Sequence, residues 1–167
     1  MPNDSPRAPL KLIEAQVEES FLDYNGHMND AVYARLFSNA VDAFAEQTGL
    51  GEAGRAAHRR TIYTLAALIH YLAETRLGEP LAVFGQIVEM DERRYRIWLE
   101  MRDPRDDRLL AVAEHLIACV DQTGAAPRIV AFPAPVLAAM RLVAAAHAHL
   151  PLDPRVGRGI ALRRASA

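Results

Sequence analysis

Cysteine is almost absent from this chain of 167 residues. The single thiol, Cys119, permits neither an internal disulfide nor a cysteine-based zinc framework. Lysine is as scarce: Lys11 stands alone among nineteen basic residues, the rest being arginine. A strong charge of either sign is missing too. Nineteen bases against twenty-one acids leave a formal charge of −2, which excludes the basic footprint of sequence-independent nucleic-acid binding. No apolar run approaches the ~20 residues of a membrane-spanning helix. The start, from Met1 to Arg7, has no apolar stretch of the signal-peptide kind. With 51% hydrophobic residues the expectation is one cytoplasmic globular domain. The arginine excess has two readings. Arginine presents a bidentate fork suited to phosphates and carboxylates; a GC-rich coding bias explains the same excess and the many alanines with it.

Periodicity divides the rest. Residues 1–10 read as a loose leader. From Lys11, Ile13, Ala15 and Val17 alternate with Glu14, Gln16 and Glu18, the period of a half-buried strand. A polar loop containing Asn25-Gly26 follows. Asn29 or Asp30 can cap a helix whose apolar stripe is Tyr33, Phe37, Ala40, Val41 and Phe44, with Thr48-Gly49 as its stop. Gly49 to Arg60 reads as a loop with a short helical turn near Ala53 to Ala57. Four strand-like runs come next: Thr61 to Thr75, Leu81 to Met90, Arg94 to Arg102 and Leu109 to Val120. Phe132-Pro-Ala-Pro135 introduces a second helix, Val136 to about His149. Residues 151–167, with Arg155, Arg158, Arg163 and Arg164, read as an Arg-rich tail, so the domain is 11–150. Short turns imply antiparallel pairing. One amphipathic helix cannot cover both faces of a five-stranded sheet, which predicts association with a second chain.

The densest polar cluster is Asp23-Tyr24-Asn25-Gly26-His27-Met28-Asn29, directly before the long helix. It serves as a capping loop, with Asp and Asn on orphan N–H groups and Gly26 in a turn. It also suits catalysis: a helix N-terminus polarises a carbonyl oxygen, and Asp23 and His27 are close enough to serve one bound group. His70 and Glu74, four apart in a run read as strand, would share a face. With Asp23 and His27 they could in principle hold zinc or manganese, but no tight ligand motif is present and no metal is expected. Glu114 and His115 interrupt an apolar strand, where core pairing is favoured over catalysis. Trp98 lies on the polar face of its strand among arginines, a place that suits an indole only under a ligand or partner. Aromatic faces, Trp98 with Tyr63, Tyr71 and Tyr95, suit a quaternary ammonium; aromatics on a sheet are otherwise core or interface. His147 and His149, two apart on the terminal helix, point in different directions. Cys119 reads as a small buried hydrophobe.

The stretch Leu22-Asp-Tyr-Asn-Gly-His-Met-Asn-Asp-Ala-Val-Tyr33 resembles the signature loop of hotdog-fold thioesterases in the 4-hydroxybenzoyl-CoA thioesterase-like group. The resemblance runs over roughly residues 10 to 140 and includes the strand, helix, four-strand order. Asp23 to Asp30, Tyr63-Thr64 and His70-Tyr71-Leu72 are similar to betainyl-CoA thioesterases of bacterial carnitine breakdown. The implied fold is α+β: a curved antiparallel five-stranded sheet wrapped around one long helix, with a C-terminal helix, assembled as a homodimer or homotetramer.

The resemblance assigns roles residue by residue. Asp23 is the carboxylate that attacks the thioester or activates water. Asn25 and His27 match the asparagine and histidine of related plant acyl-carrier-protein thioesterases, and Glu74 matches their glutamate. Thr75 stands where those enzymes have cysteine, which removes a thiol role. The backbone N–H of Asp30 polarises the carbonyl. Phe21 replaces the first aspartate of the Asp-x-Asp-x-x-Gly doublet of many relatives, so Asp23 alone supplies a carboxylate from this loop. Tyr33, His70, Tyr71 and Trp98 complete the expected substrate contacts. The implied reaction is hydrolysis of a small acyl-CoA to free acid and CoA, with no cofactor beyond the CoA of the substrate. Glu74 assists from its own or the opposite subunit, and Arg158, Arg163 and Arg164 are candidates for the CoA phosphates. The alternatives are a non-catalytic acyl-CoA-binding module and an enoyl-thioester hydratase.

Overall fold

A computed structural model describes residues 8–161. Strand β1 (Leu10–Gln16) leads through a 3-10 turn at Glu19–Phe21 to helix α1 (Asp30–Gln47) and short helix α2 (Glu52–His58). Strands β2 (Thr61–Tyr71), β3 (Pro80–Met90), β4 (Arg94–Asp103), β5 (Arg108–Asp121) and the two-residue β6 (Arg128–Ile129) follow. Helix α3 (Ala134–His147) comes last.

The strands form one antiparallel sheet in the order β1-β3-β4-β5-β2, with β6 on the end of β5 beyond β4. β1 and β2 are therefore the edges. The sheet curls around α1 as the expected hotdog fold. Alternation sets the two faces: Tyr95, Ile97, Leu99 and Met101 of β4 join Leu36, Phe37, Val41 and Phe44 of α1 in the core, while Arg96, Trp98, Glu100 and Arg102 point to the outer face. At Leu12 β1 carries a bulge, and Leu12 enters the core out of step with simple alternation.

α1 starts as its sequence dictates. The Asn29 side chain accepts from the Ala31 N–H at 2.9 Å, and Thr48 ends the helix, with Gly49 following at φ 90°.

Two expectations change. Thr61 to Thr75 is not one strand: β2 stops at Tyr71, and the Leu72 and Ala73 N–H groups both donate to Leu110 O at 3.0 Å. Part of the outer face is covered by the chain's own C-terminal segment. His147, at the end of α3, accepts the Ile87 N–H of β3 through Nδ1 at 3.0 Å, past the end of β1. Further on, the Gly157 N–H donates to Glu114 of β5 at 2.8 Å. Between these anchors Arg155 lies near Glu100 of β4, and Gly157 stands beside the Arg96 guanidinium, on the face where Trp98 is buried. In residues 151–161 Asp153, Arg155 and Val156 are half-buried and the others exposed, with Asp153 and Arg155 joined at 2.7 Å. Arg163 and Arg164 lie outside the described residues.

Candidate active site

The loop before α1 folds back on itself. Asp23 N–H donates to His27 O at 2.9 Å, Gly26 N–H to Asp23 O at 3.1 Å, and Leu22 bridges Met28. Gly26 takes φ 75°, which a glycine adopts without steric cost. Asp23 Oδ1 accepts from the N–H groups of Asn25 at 2.8 Å and His27 at 3.3 Å. That arrangement is an Asx turn, and it leaves Oδ2 without a protein donor among the described residues.

Beyond β2 the chain turns toward this loop. His27 bridges Arg76, and the Met28 N–H donates to Thr75 O at 2.9 Å. The result is a pairing of side chains far apart in sequence: His27 Nε2 lies 3.1 Å from Glu74 Oε2 in the same chain. The Tyr33 hydroxyl donates to Ala73 O at 3.2 Å, and the Tyr71 hydroxyl to Asp30 O at 3.4 Å. The two tyrosine rings meet edge to face at 5.4 Å. An open cleft of about 380 Å³ is lined by Asp23, Asn25, His27, Asp30, Tyr33 and Tyr71, and by residues 72–74.

At the floor of the cleft the N-terminus of α1 presents backbone donors. The Asp30 N–H has no acceptor among the described residues; the Ala31 N–H is already taken by Asn29 and Asp30 side-chain oxygens. An unpaired N–H at a helix N-terminus suits an oxyanion. The Tyr33 phenol is pushed up to about 12 by burial and, secondarily, by the nearby Glu74 carboxylate. The Tyr71 phenol is raised by burial and then by Asp30. Both stay neutral at physiological pH and keep their hydroxyl donors.

Six of the expected site residues thus meet in the cleft from one chain: Asp23, Asn25, His27, Asp30, Tyr33 and Tyr71. Glu74 joins them because β2 ends before it. Two do not. His70 pairs with Val112, and Tyr71 with Ala111, which belongs to the core; His70 therefore faces outward, near Asp153 of the C-terminal segment. Trp98 also faces outward and is only 2% exposed, its Nε1 donating to Glu100 at 3.3 Å. The shared face expected for His70 and Glu74 fails because the regular strand ends between them. Among the described residues no three His, Cys, Asp or Glu side chains stand close enough to hold a metal ion. Thr75 is buried, its hydroxyl donating to Glu79 at 3.0 Å. Glu114 is paired with Arg96 at 2.6 Å on the outer face, whereas His115 is buried beside Phe37 with neither ring nitrogen hydrogen-bonded, so the expected pairing holds for Glu114 alone. Sequence reasoning missed Leu72 and Ala73, whose contribution is made by their place in the backbone and carries no side-chain signal.

The cleft, with a carboxylate oxygen, an imidazole and a free helix-start N–H, sits in a fold that recurs among known proteins. The model of the family described as "Thioesterase-like superfamily" matches residues 17–140. The chain belongs to the thioesterase-like superfamily. A Pseudomonas aeruginosa betainyl-CoA thioesterase is 34% identical over 153 residues, covering 92% of this chain and 95% of that protein. An L-carnitine dehydrogenase/betainyl-CoA thioesterase of Rhizobium meliloti is 32% identical over 93% of this chain, which spans only 31% of that longer protein. Among solved structures, a Staphylococcus aureus protein in complex with CoA superposes with a TM-score of 0.85 at 26% identity, covering 93% of this chain and 97% of that one. This thioesterase is accordingly an enzyme of acyl-CoA thioester hydrolysis. No helix among its described residues is long and apolar enough to cross a membrane.

Proposed function

We propose that the protein hydrolyses the CoA thioester of a small cationic acyl group, betainyl-CoA, to the free acid and CoA. The observation that carries the reading is the meeting, in one cleft, of the free Oδ2 side of Asp23 with the unpaired Asp30 N–H. The thioester carbonyl oxygen is held by that N–H, where negative charge develops. Asp23 removes a proton from water, whose oxygen attacks the carbonyl carbon; collapse expels the CoA thiolate, which takes the proton. In the alternative route Asp23 attacks directly and water hydrolyses the resulting anhydride. Asn25 and His27 hold the water or carbonyl, with Glu74 orienting His27. No cofactor enters either route.

The cationic acyl group is supported by the lining. Two tyrosines and the carboxylates of Asp23, Asp30 and Glu74 surround the cleft, and aromatic faces attract quaternary ammonium. The names of the Pseudomonas and Rhizobium relatives point the same way. The working unit in this reading is a cytoplasmic homo-oligomer, a dimer built on β2. That edge strand carries no charged side chain over its eleven residues and exposes Tyr63, Leu65 and Tyr71, an unprotected template for a second copy.

Thiol release over a panel of acyl-CoAs tests the reading. Betainyl-CoA should be preferred to an uncharged isostere. A non-catalytic binder would release no thiol, and a hydratase would consume an enoyl chromophore without releasing thiol.

A further inference from the structure

Glu79 closes the tight turn that follows the cleft segment 72–74. Gly78 takes φ 80° there, and the Glu79 N–H donates back to Arg76 O at 3.1 Å, the form of turn that needs glycine at its third position. The fold back lets one oxygen of Glu79, Oε2, accept both the Thr75 hydroxyl and the Arg76 N–H at 3.0 Å. The other, Oε1, accepts from the Arg105 guanidinium at 3.0 Å. These contacts, the Arg76 N–H first among them, hold the Glu79 carboxyl below the ordinary carboxylate range.

Arg105 is itself fixed. It belongs to the hairpin between β4 and β5, and its guanidinium grips the Asp103 carboxylate through Nε at 3.0 Å and Nη2 at 2.6 Å. Asp103 is buried, and beside Arg105 its carboxyl is pushed down to about 2. Such a forked pair is strong and geometrically defined. None of the three residues lines the cleft. What they hold is backbone on which the site is built. Thr75 O accepts the Met28 N–H at 2.9 Å, Arg76 bridges His27, and Glu74, immediately before them, stands 3.1 Å from His27 Nε2. His27 is the one ion-pair partner of Glu74 among the described residues. The carboxylate of Glu74 therefore follows wherever the Thr75–Arg76 backbone goes.

We propose that Glu79, braced by Arg105, is a positioning residue for thioester hydrolysis: it clamps the Thr75–Arg76 turn and thereby holds Glu74 against His27. The inference rests on the roles proposed for His27 and Glu74 and adds a residue outside the cleft on which their pairing depends.

Amide hydrogen exchange reads the clamp without turnover. In Glu79→Ala the Met28 N–H should exchange about tenfold faster or more, while the amides of β4 keep the wild-type rate. Unchanged exchange at Met28, or an equal rise throughout β4, overturns the proposal whatever the substrate proves to be. Glu79→Gln, which keeps an oxygen for Thr75 and Arg76, should recover most of the protection at Met28. Steady-state kinetics read the consequence. Glu79→Ala should lower kcat by about tenfold with KM little changed, and should cost almost nothing in a Glu74→Gln background, where the pair it positions is already broken. A fall of the same size in both backgrounds, as general loosening of the fold would give, overturns the proposal, and so does an unchanged kcat. Arg105→Gln leaves Glu79 in place and alters only an exposed side chain of the network. It should reproduce the pattern at about threefold; wild-type exchange at Met28 in that variant overturns the bracing. If Glu74→Gln keeps the wild-type kcat, the role read for Glu74 fails, and fast exchange at Met28 in Glu79→Ala still supports the clamp.

Discussion

His27 Nε2 and Glu74 Oε2 stand 3.1 Å apart, joining the loop before α1 to the segment that leaves β2. Glu74 is largely exposed there, so solvent screens the pair and its value lies in orientation rather than stability. Substituting Glu74→Gln should lower kcat by about tenfold, less than the ~10²-fold or more expected from removing an acid–base group. If the two act as a unit, the double variant His27→Gln/Glu74→Gln should be no slower than His27→Gln alone. Additive losses in steady-state kinetics would separate them.

Asp23→Asn should reduce hydrolysis by about a thousandfold or more while leaving fold and assembly unchanged. The asparagine keeps an Oδ1 for the Asn25 and His27 N–H groups that now use Asp23. Turnover near the wild-type rate removes Asp23 from the chemistry. A single turnover in oxygen-18 water separates the two routes: label in Asp23 shows direct attack, and its absence shows general-base action.

The aromatic faces give a test of substrate charge. Tyr71→Phe keeps a ring against Tyr33, and Tyr71→Leu removes it. Preference for betainyl-CoA over its uncharged isostere should survive the first and fall by about fivefold to thirtyfold in the second, the equivalent of ~1–2 kcal/mol of cation–π attraction. Equal kcat/KM ratios in all three proteins would remove Tyr71 from recognition of the cation.

Two buried histidines should make the fold acid-sensitive. His115 has neither ring nitrogen hydrogen-bonded, and His147 Nδ1 accepts the Ile87 N–H and must be unprotonated there. Burial holds both below the ordinary value of 6.5. Their contribution is complete above 6.5. As pH falls from 6.5 toward the lowered folded values the unfolded chain binds more protons, and stability is lost. His115→Leu should therefore lose less stability than wild type between about pH 7.5 and 5.5, measured as the shift in urea midpoint.

Trp98 is the only tryptophan, so its fluorescence reports on the cover of the outer face. Ending the chain after His149 removes the segment anchored on the strands beside it, including the Gly157 contact to Glu114. The emission should shift to the red and the truncated protein should lose stability. An unshifted spectrum would mean that another part of the fold buries the indole.

Elements with a single strong period were legible in the residues. Asn29, the stripe from Tyr33 to Phe44 and Thr48-Gly49 mark α1 almost to the residue because capping and amphipathicity are local. The four-strand run after it was readable for the same reason. The end of β2 was not. Thr61 to Thr75 is uniformly strand-like in composition, and the stop at Tyr71 comes from Leu72 and Ala73 both donating to Leu110 on a neighbouring strand. That one break turns Glu74 toward His27 and leaves His70 facing the other way.

Trp98 marks the same limit. Its place on the outer face followed from alternation, but whether that face meets substrate, a second chain or the protein's own C-terminal segment depends on how far residues 148–157 travel. The sequence by itself determined the helix, the strands and the loop of Asp23, Asn25 and His27, all set by neighbours a few residues apart. Only the tertiary structure decided which side chains share the cleft and which are covered, because those contacts join residues whose spacing along the chain carries no period.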